Sequence, residues 1–161
     1  MALPIIAAVR RLARSAEIRI ATRPDKRFKR SKVEWFKEDM QRLGEDIAEE
    51  FKETIVENIE TNRYGYTLKQ STIERKGSSI PLVDSHKLVD AIYRDGTIVS
   101  VEDSARDDSS LSNLELAIVH EYGTKDKHIP ARPVWRDTFK DFKDIARKRV
   151  QMFLDTHKFK R

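Results

Sequence analysis

Residues 116–136, LAIVHEYGTKDKHIPARPVWR, concentrate more backbone constraint than any other stretch of the chain. A short apolar run ends at Gly123 and a charged loop follows; Pro130 and Pro133 then bracket Ala131 and Arg132 before an amphipathic pattern begins. Gly123 permits a tight turn that a β-branched residue would make only under strain. The two prolines fix their own φ and push the residues before them toward extended conformations, so 130–133 is expected to be rigid and extended.

The segments around this stretch carry clear periodicities. From Ser31 to Glu60, Phe36, Met40, Leu43, Ile47, Phe51, Ile55 and Ile59 recur every three or four residues with charged residues between them, which predicts a long amphipathic helix. Ser31 and Glu34 have capping-box spacing. About 28 helical residues would span roughly 42 Å, long enough for one end to reach a neighbouring subunit. Gly44 is a weak point in that helix, costing about 1 kcal/mol relative to alanine. A second helix is predicted over 134–157, with Trp135, Phe139, Phe142, Ala146, Val150 and Phe153 on one face, ending in the basic tail Lys158, Lys160 and Arg161.

Between the long helices the pattern is finer. Residues 61–67 read as a turn with two tyrosines, and 67–76 as a short helix closed by Gly77 in a left-handed cap. Residues 82–93 read as another short helix, capped by Asp84 or Ser85, with Leu88, Ala91 and Ile92 facing inward. Asp95-Gly96 turns the chain into a strand over 97–101. After a polar loop at 103–113, residues 114–120 read as a second strand, alone or leading into a helical turn. The expectation is an α+β fold: a long N-terminal helix and a C-terminal helix packed on a small, mainly antiparallel sheet, with short helices between. We place a single such domain at 33–161, preceded by a basic arm at 1–32.

Charge divides the chain at the same boundary. The net charge is +5. Residues 1–32 hold ten Lys/Arg, among them Arg10, Arg11, Arg14, Arg27, Lys29 and Arg30, against Glu17 and Asp25. That is +8 for the arm and −3 for the rest. Residues 3–22 can form a helix with Ile5, Ile6, Val9, Leu12 and Ala16 on one face and arginines on the other. Such a segment suits a partner subunit, a nucleic acid or a membrane surface, and equally a helix packed on the chain's own body. Residues 23–32 read as an extended linker. No secretory leader and no membrane span are expected. The chain has no cysteine, which excludes disulfides and thiolate metal sites and fits a reducing compartment.

Catalytic patterns are sparse. The glycines are scattered singly, so neither a P-loop nor a dinucleotide fingerprint is present. His120 and His128 are eight apart rather than the four that puts two imidazoles on one helix face. A metal-dependent hydrolase built on them, with Asp126 as third ligand, is a weak reading beside turn and surface histidines. Asp107-Asp108 reads as a solvated loop rather than an acid/base pair. The arm's arginines could neutralise phosphates, yet only Phe28 lies in its densest basic stretch, which leaves no stacking platform. No enzyme, cofactor or metal site is expected.

At AIVHEYGT followed by IPARPVW the chain resembles the minor tail components and virion morphogenesis proteins of tailed bacteriophages. Their pattern A-x-x-x-E-[FY]-G-T, a loop, then P-x-R-P before a C-terminal helix is matched by Ala117, Glu121, Tyr122, Gly123, Thr124, Pro130, Arg132 and Pro133. A second segment is similar through Leu68, Thr72, Lys76, Leu82, Asp84 and Leu88. The resemblance covers roughly residues 33–155 and leaves the arm outside it. His86 stands where the pattern has glycine, and Val134-Trp135 where Phe-Leu is common. The resemblance implies a non-catalytic structural protein of the phage neck or upper tail, serving tail completion or head–tail joining. It would form a ring, usually six-fold, around the DNA channel and bridge connector and tail proteins in the virion after assembly in the host cytoplasm. Glu121, Tyr122, Gly123, Thr124, Pro130, Arg132, Pro133 and Trp135 are then its candidate subunit-interface motif. Arg132 would pair either with a carboxylate of the next subunit or within its own chain, for instance with Glu121. The alternative is a small nucleic-acid-binding protein that uses the arm.

Overall fold

The apolar spacing from Phe36 to Ile59 does build one continuous helix in a computed structural model of the chain, which describes residues 30–83, 86–105, 110–126 and 128–157. This helix, α1 (Arg30–Glu60), is followed by α2 (Gln70–Lys76), α3 (Lys87–Asp90), β1 (Ile92–Asp95), β2 (Ile98–Val101), α4 (Asn113–Tyr122) and α5 (Val134–Thr156). The fold is α+β. The helix has already begun at Arg30, so Ser31 lies inside it rather than at its cap. Residues 1–29 lie outside the described residues, and with them Arg10, Arg11, Arg14, Arg27 and Lys29. The same holds for Asp84, Ser85, Asp107, Asp108 and the basic tail from Lys158.

α1 and α5 lie antiparallel and share the core. Phe51 of α1 meets Phe142 at 5.3 Å and Phe139 at 6.1 Å between ring centroids, and Phe36 meets Phe153 at 5.5 Å. Ile55, Ile59, Val134 and Trp135 fill the space between them. Such pairs are favoured chiefly by removing apolar surface from water, with a further contribution from ring geometry.

β1 and β2 form a two-stranded antiparallel hairpin with Ile92 opposite Val101 and Asp95 opposite Ile98. Both Ile92 and Val101 are buried. Arg94 ties the hairpin to α1, its Nε donating to Glu49 Oε2 at 2.7 Å. The hairpin turn crosses α1 at Gly44, where an added Cβ would stand 2.9 Å from Thr97 Cγ2. Gly44 is therefore a contact point, not merely a weak point.

Two expectations are corrected. Residues 114–120 are not a strand but the body of α4. Ser112 Oγ accepts from Glu115 N at 3.2 Å, and Glu115 Oε2 accepts from Ser112 N at 3.0 Å. That capping box satisfies two first-turn donors and outweighs the β preference of Ile118 and Val119. Residues 82–93 are not one helix either. The helix is confined to Lys87–Asp90, and Ile92 and Tyr93 leave it because they pair with Val101 and Ser100. The short helix before Gly77 forms as expected, with Gly77 at φ 68°.

Candidate functional site

The segment between α4 and α5 is a joint that sets the direction of one helix against the other. Gly123 follows α4 with φ 72° and ψ 177°, a region open essentially to glycine alone. It also leaves no room for a side chain, since a Cβ would stand 2.8 Å from Ala131 N and 2.9 Å from Ile129 O. The strand-like return 129–132 passes that closely because it is bonded there. Thr124 N donates to Ile129 O at 3.0 Å, Ile129 N donates to Thr124 Oγ1 at 3.0 Å, and Arg132 N donates to His120 O at 2.6 Å. The loop 124–129 is thus tied off at its base. Pro130 is exposed and Pro133 half-buried at the entrance to α5.

Pro133 occupies the N-cap of α5, and proline has no side-chain oxygen to satisfy the first-turn N–H groups. Glu121 supplies one from α4. Its Oε2 accepts from Trp135 N and its Oε1 from Arg136 N, each at 3.2 Å. The negative charge also sits at the positive end of the helix dipole. Arg136 completes the pairing, its Nε 3.4 Å from Glu121 Oε1 and its guanidinium over the Tyr122 ring at 5.4 Å. Glu121 is buried, and this burial raises its carboxyl pKa more than the two backbone N–H groups and Arg136 lower it. Tyr122 remains exposed, whereas Trp135 is buried in the core.

Arg132 does not pair with Glu121. Its side chain turns into its own chain, with Nη1 3.3 Å from His120 Nδ1 and Nη2 donating to Thr67 O at 3.2 Å. Its position under the 61–67 turn brings in residues that spacing did not single out. Asn62 closes that turn, accepting from Tyr66 N at 3.0 Å and donating to Tyr66 O at 2.9 Å. Tyr66 Oη then donates to Asp137 Oδ2 at 3.0 Å, and Tyr64 Oη to Asp141 Oδ2 at 3.2 Å. Burial, then the Asp137 carboxylate, raises the Tyr66 pKa. Beneath them Asn58 Nδ2 donates to Thr138 Oγ1 at 2.9 Å, with Thr138 fully enclosed. The two tyrosines in the turn were the legible sign of this brace.

The eight motif residues therefore divide. Glu121, Gly123, Thr124, Arg132, Pro133 and Trp135 shape the joint itself, while Tyr122 and Pro130 present exposed surface. The two histidines point to separate tasks: His120 faces Arg132, and His128 Nδ1 lies 2.9 Å from Asp126 Oδ2. Among the described residues no group of three or more His, Asp or Glu is arranged to hold a metal ion, and no described helix is long and apolar enough to cross a membrane. No family model, curated protein or solved structure matches the chain.

Proposed function

We propose that this protein is a structural component of the tailed-phage neck or upper tail, without catalysis, that self-associates into a ring around the DNA channel and bridges connector and tail. The supporting observation is that the residues shared with the phage pattern converge on one joint. Gly123 provides a backbone approach that admits no side chain, and Glu121 caps the helix that the Pro-Ala-Arg-Pro segment introduces. A pattern used to fix the angle between two helices suits a subunit whose geometry must repeat around a closed ring. Exposed Tyr122, Ile118, Ile145 and Met152 offer apolar surface for such contacts. Native mass spectrometry and electron microscopy of the purified chain should show closed oligomers, and peptides of the chain should be found in purified virions. A strict monomer that is also absent from particles would sink this reading.

The charge of the arm supports a second reading, a nucleic-acid-binding protein. It predicts affinity for DNA that falls steeply with salt and disappears when residues 1–32 are deleted. Unchanged affinity after that deletion rules it out.

A further inference from the structure

One flank of the α1–α5 pair combines exposed apolar side chains with an acidic row. Arg149 of α5 pairs with Glu50 of α1 and sets the two helices side by side there. Ile145 and Met152 stand four residues before and three after Arg149, so they share its face. Asp46 and Glu53 flank Glu50 by the same steps, and Trp35 and Asp39 continue that row toward the start of α1. There the row meets the end of α5: Asp39 Oδ2 lies 3.9 Å from His157 Nε2, and the Trp35 and His157 ring centroids are 5.2 Å apart. Trp35 is 50% exposed, Ile145 47% and Met152 67%. Residues 34–60 carry ten Asp/Glu against three Lys/Arg. Single exposed apolar side chains need no explanation. Three on one flank beside an acidic row have a definite complement, an amphipathic segment with a basic polar side.

We propose that residues 3–22 of the same chain fold back and occupy this flank. The flank selects the chain's own body among the partners that the arm's pattern alone left open. Charge matches, since the arm carries +8 and faces the acidic row of α1. Apolar surface matches, since Ile5, Ile6, Val9, Leu12 and Ala16 would cover Trp35, Ile145 and Met152. Length matches too: as a helix the segment would be about 30 Å long, and Trp35 to Glu53 spans about 27 Å of α1. The arm joins α1 at Arg30, five residues before Trp35, and residues 23–29 reach at most about 25 Å. A tether this short holds the segment at millimolar effective concentration beside its own flank, which favours it over the arm of a second copy. Docked there, the arm withdraws Ile145 and Met152 from other subunits and leaves Ile118 and Tyr122 of α4 exposed to them. Its apolar side then reaches no membrane or partner until the arm is released.

Met152→p-benzoylphenylalanine in the full-length protein places a photoreactive group on the flank at an exposed position. After irradiation and denaturation, the expected product has the mass of one chain and joins residue 152 to a peptide from 3–22. A product of two chains joined through the same peptides assigns the flank to a second copy's arm and overturns the fold-back. Absence of any link to 3–22 overturns it as well. Amide hydrogen exchange of the full-length wild type gives a second readout. Residues 3–22 should exchange at least about ten-fold more slowly there than in an Ile145→Asp, Met152→Asp double variant. Wild-type exchange at the rate of an open peptide, or equal protection in both proteins, overturns the flank as receptor. Failure here leaves both readings of function standing, since neither requires the arm to be docked.

Discussion

The α1–α5 pair and the joint at 120–136 are held together by different physics. In the helix pair, stability is spread over many apolar atoms: Phe36, Phe51, Ile55, Ile59, Phe139, Phe142 and Phe153 each contribute part of one interface. In the joint, single atoms have single tasks. One missing Cβ lets Gly123 approach Ala131, and one carboxylate holds the first turn of α5. The core is therefore sensitive to carbon removed, whereas the joint is sensitive to carbon added or to charge displaced. Size of substitution and size of effect should part company between the two regions.

The sharpest way to break that contrast is Gly123→Ala, which adds one carbon. Backbone strain and overlap with Ala131 N and Ile129 O should together lower stability by about 3–5 kcal/mol in denaturant unfolding. A loss below about 1 kcal/mol would show that the joint yields and the contrast is false. Next comes Ile55→Ala, which removes three carbons from a residue with 0% exposure and should cost about 3 kcal/mol, no more than the added methyl group at Gly123.

Gly44 tests a place where the two kinds of sensitivity meet. Gly44→Ala gains helix propensity but presses on Thr97 Cγ2, so alone it should be neutral or destabilising. In a Thr97→Ser background the same change should stabilise by about 1 kcal/mol. Equal effects in both backgrounds would mean that the hairpin turn moves aside without cost.

The smallest effect is a slope. Because burial raises the folded-state pKa of Glu121, its contribution to stability is fullest below the ordinary carboxylate pKa. That contribution is lost as pH rises through the ordinary value toward the raised one. Glu121→Gln should remove that slope, so melting temperatures measured across this window should rise for the variant relative to wild type as pH increases. Parallel curves would show that the carboxylate keeps its water.

Legibility in the sequence followed the same division. Both long helices were readable because their apolar spacing repeats over six or more turns, and the turn at Gly77 because glycine follows a short polar helix. α4 was not read as a helix, since Ile118-Val119 in a short apolar run resembles a strand; the Ser112–Glu115 spacing was the signal that identifies it. β1 was hidden for a related reason. Leu88, Ala91 and Ile92 fall at helical intervals, although Asp95-Gly96 flanked by Ile92-Tyr93 and Ile98-Val99 marks a hairpin. Within the joint, Gly123 and the prolines were visible as constraints. Glu121 capping a helix fourteen residues away and Arg132 buried against Thr67 were not, because neither contact is local in sequence and arginine is usually exposed.

The partnership of α1 with α5 also sets an order of events during synthesis. Asn58 and Thr138 are eighty residues apart in the chain yet hydrogen-bonded. At about 5–20 residues per second, Phe51, Ile55 and Ile59 emerge from the ribosome several seconds before their cover does. Through that interval the part of the α1 face that α5 covers lacks its partner and is available to chaperones and to other nascent chains. Premature termination anywhere before α5 would leave it permanently in that condition, so truncated products of this gene should aggregate or be degraded rather than accumulate.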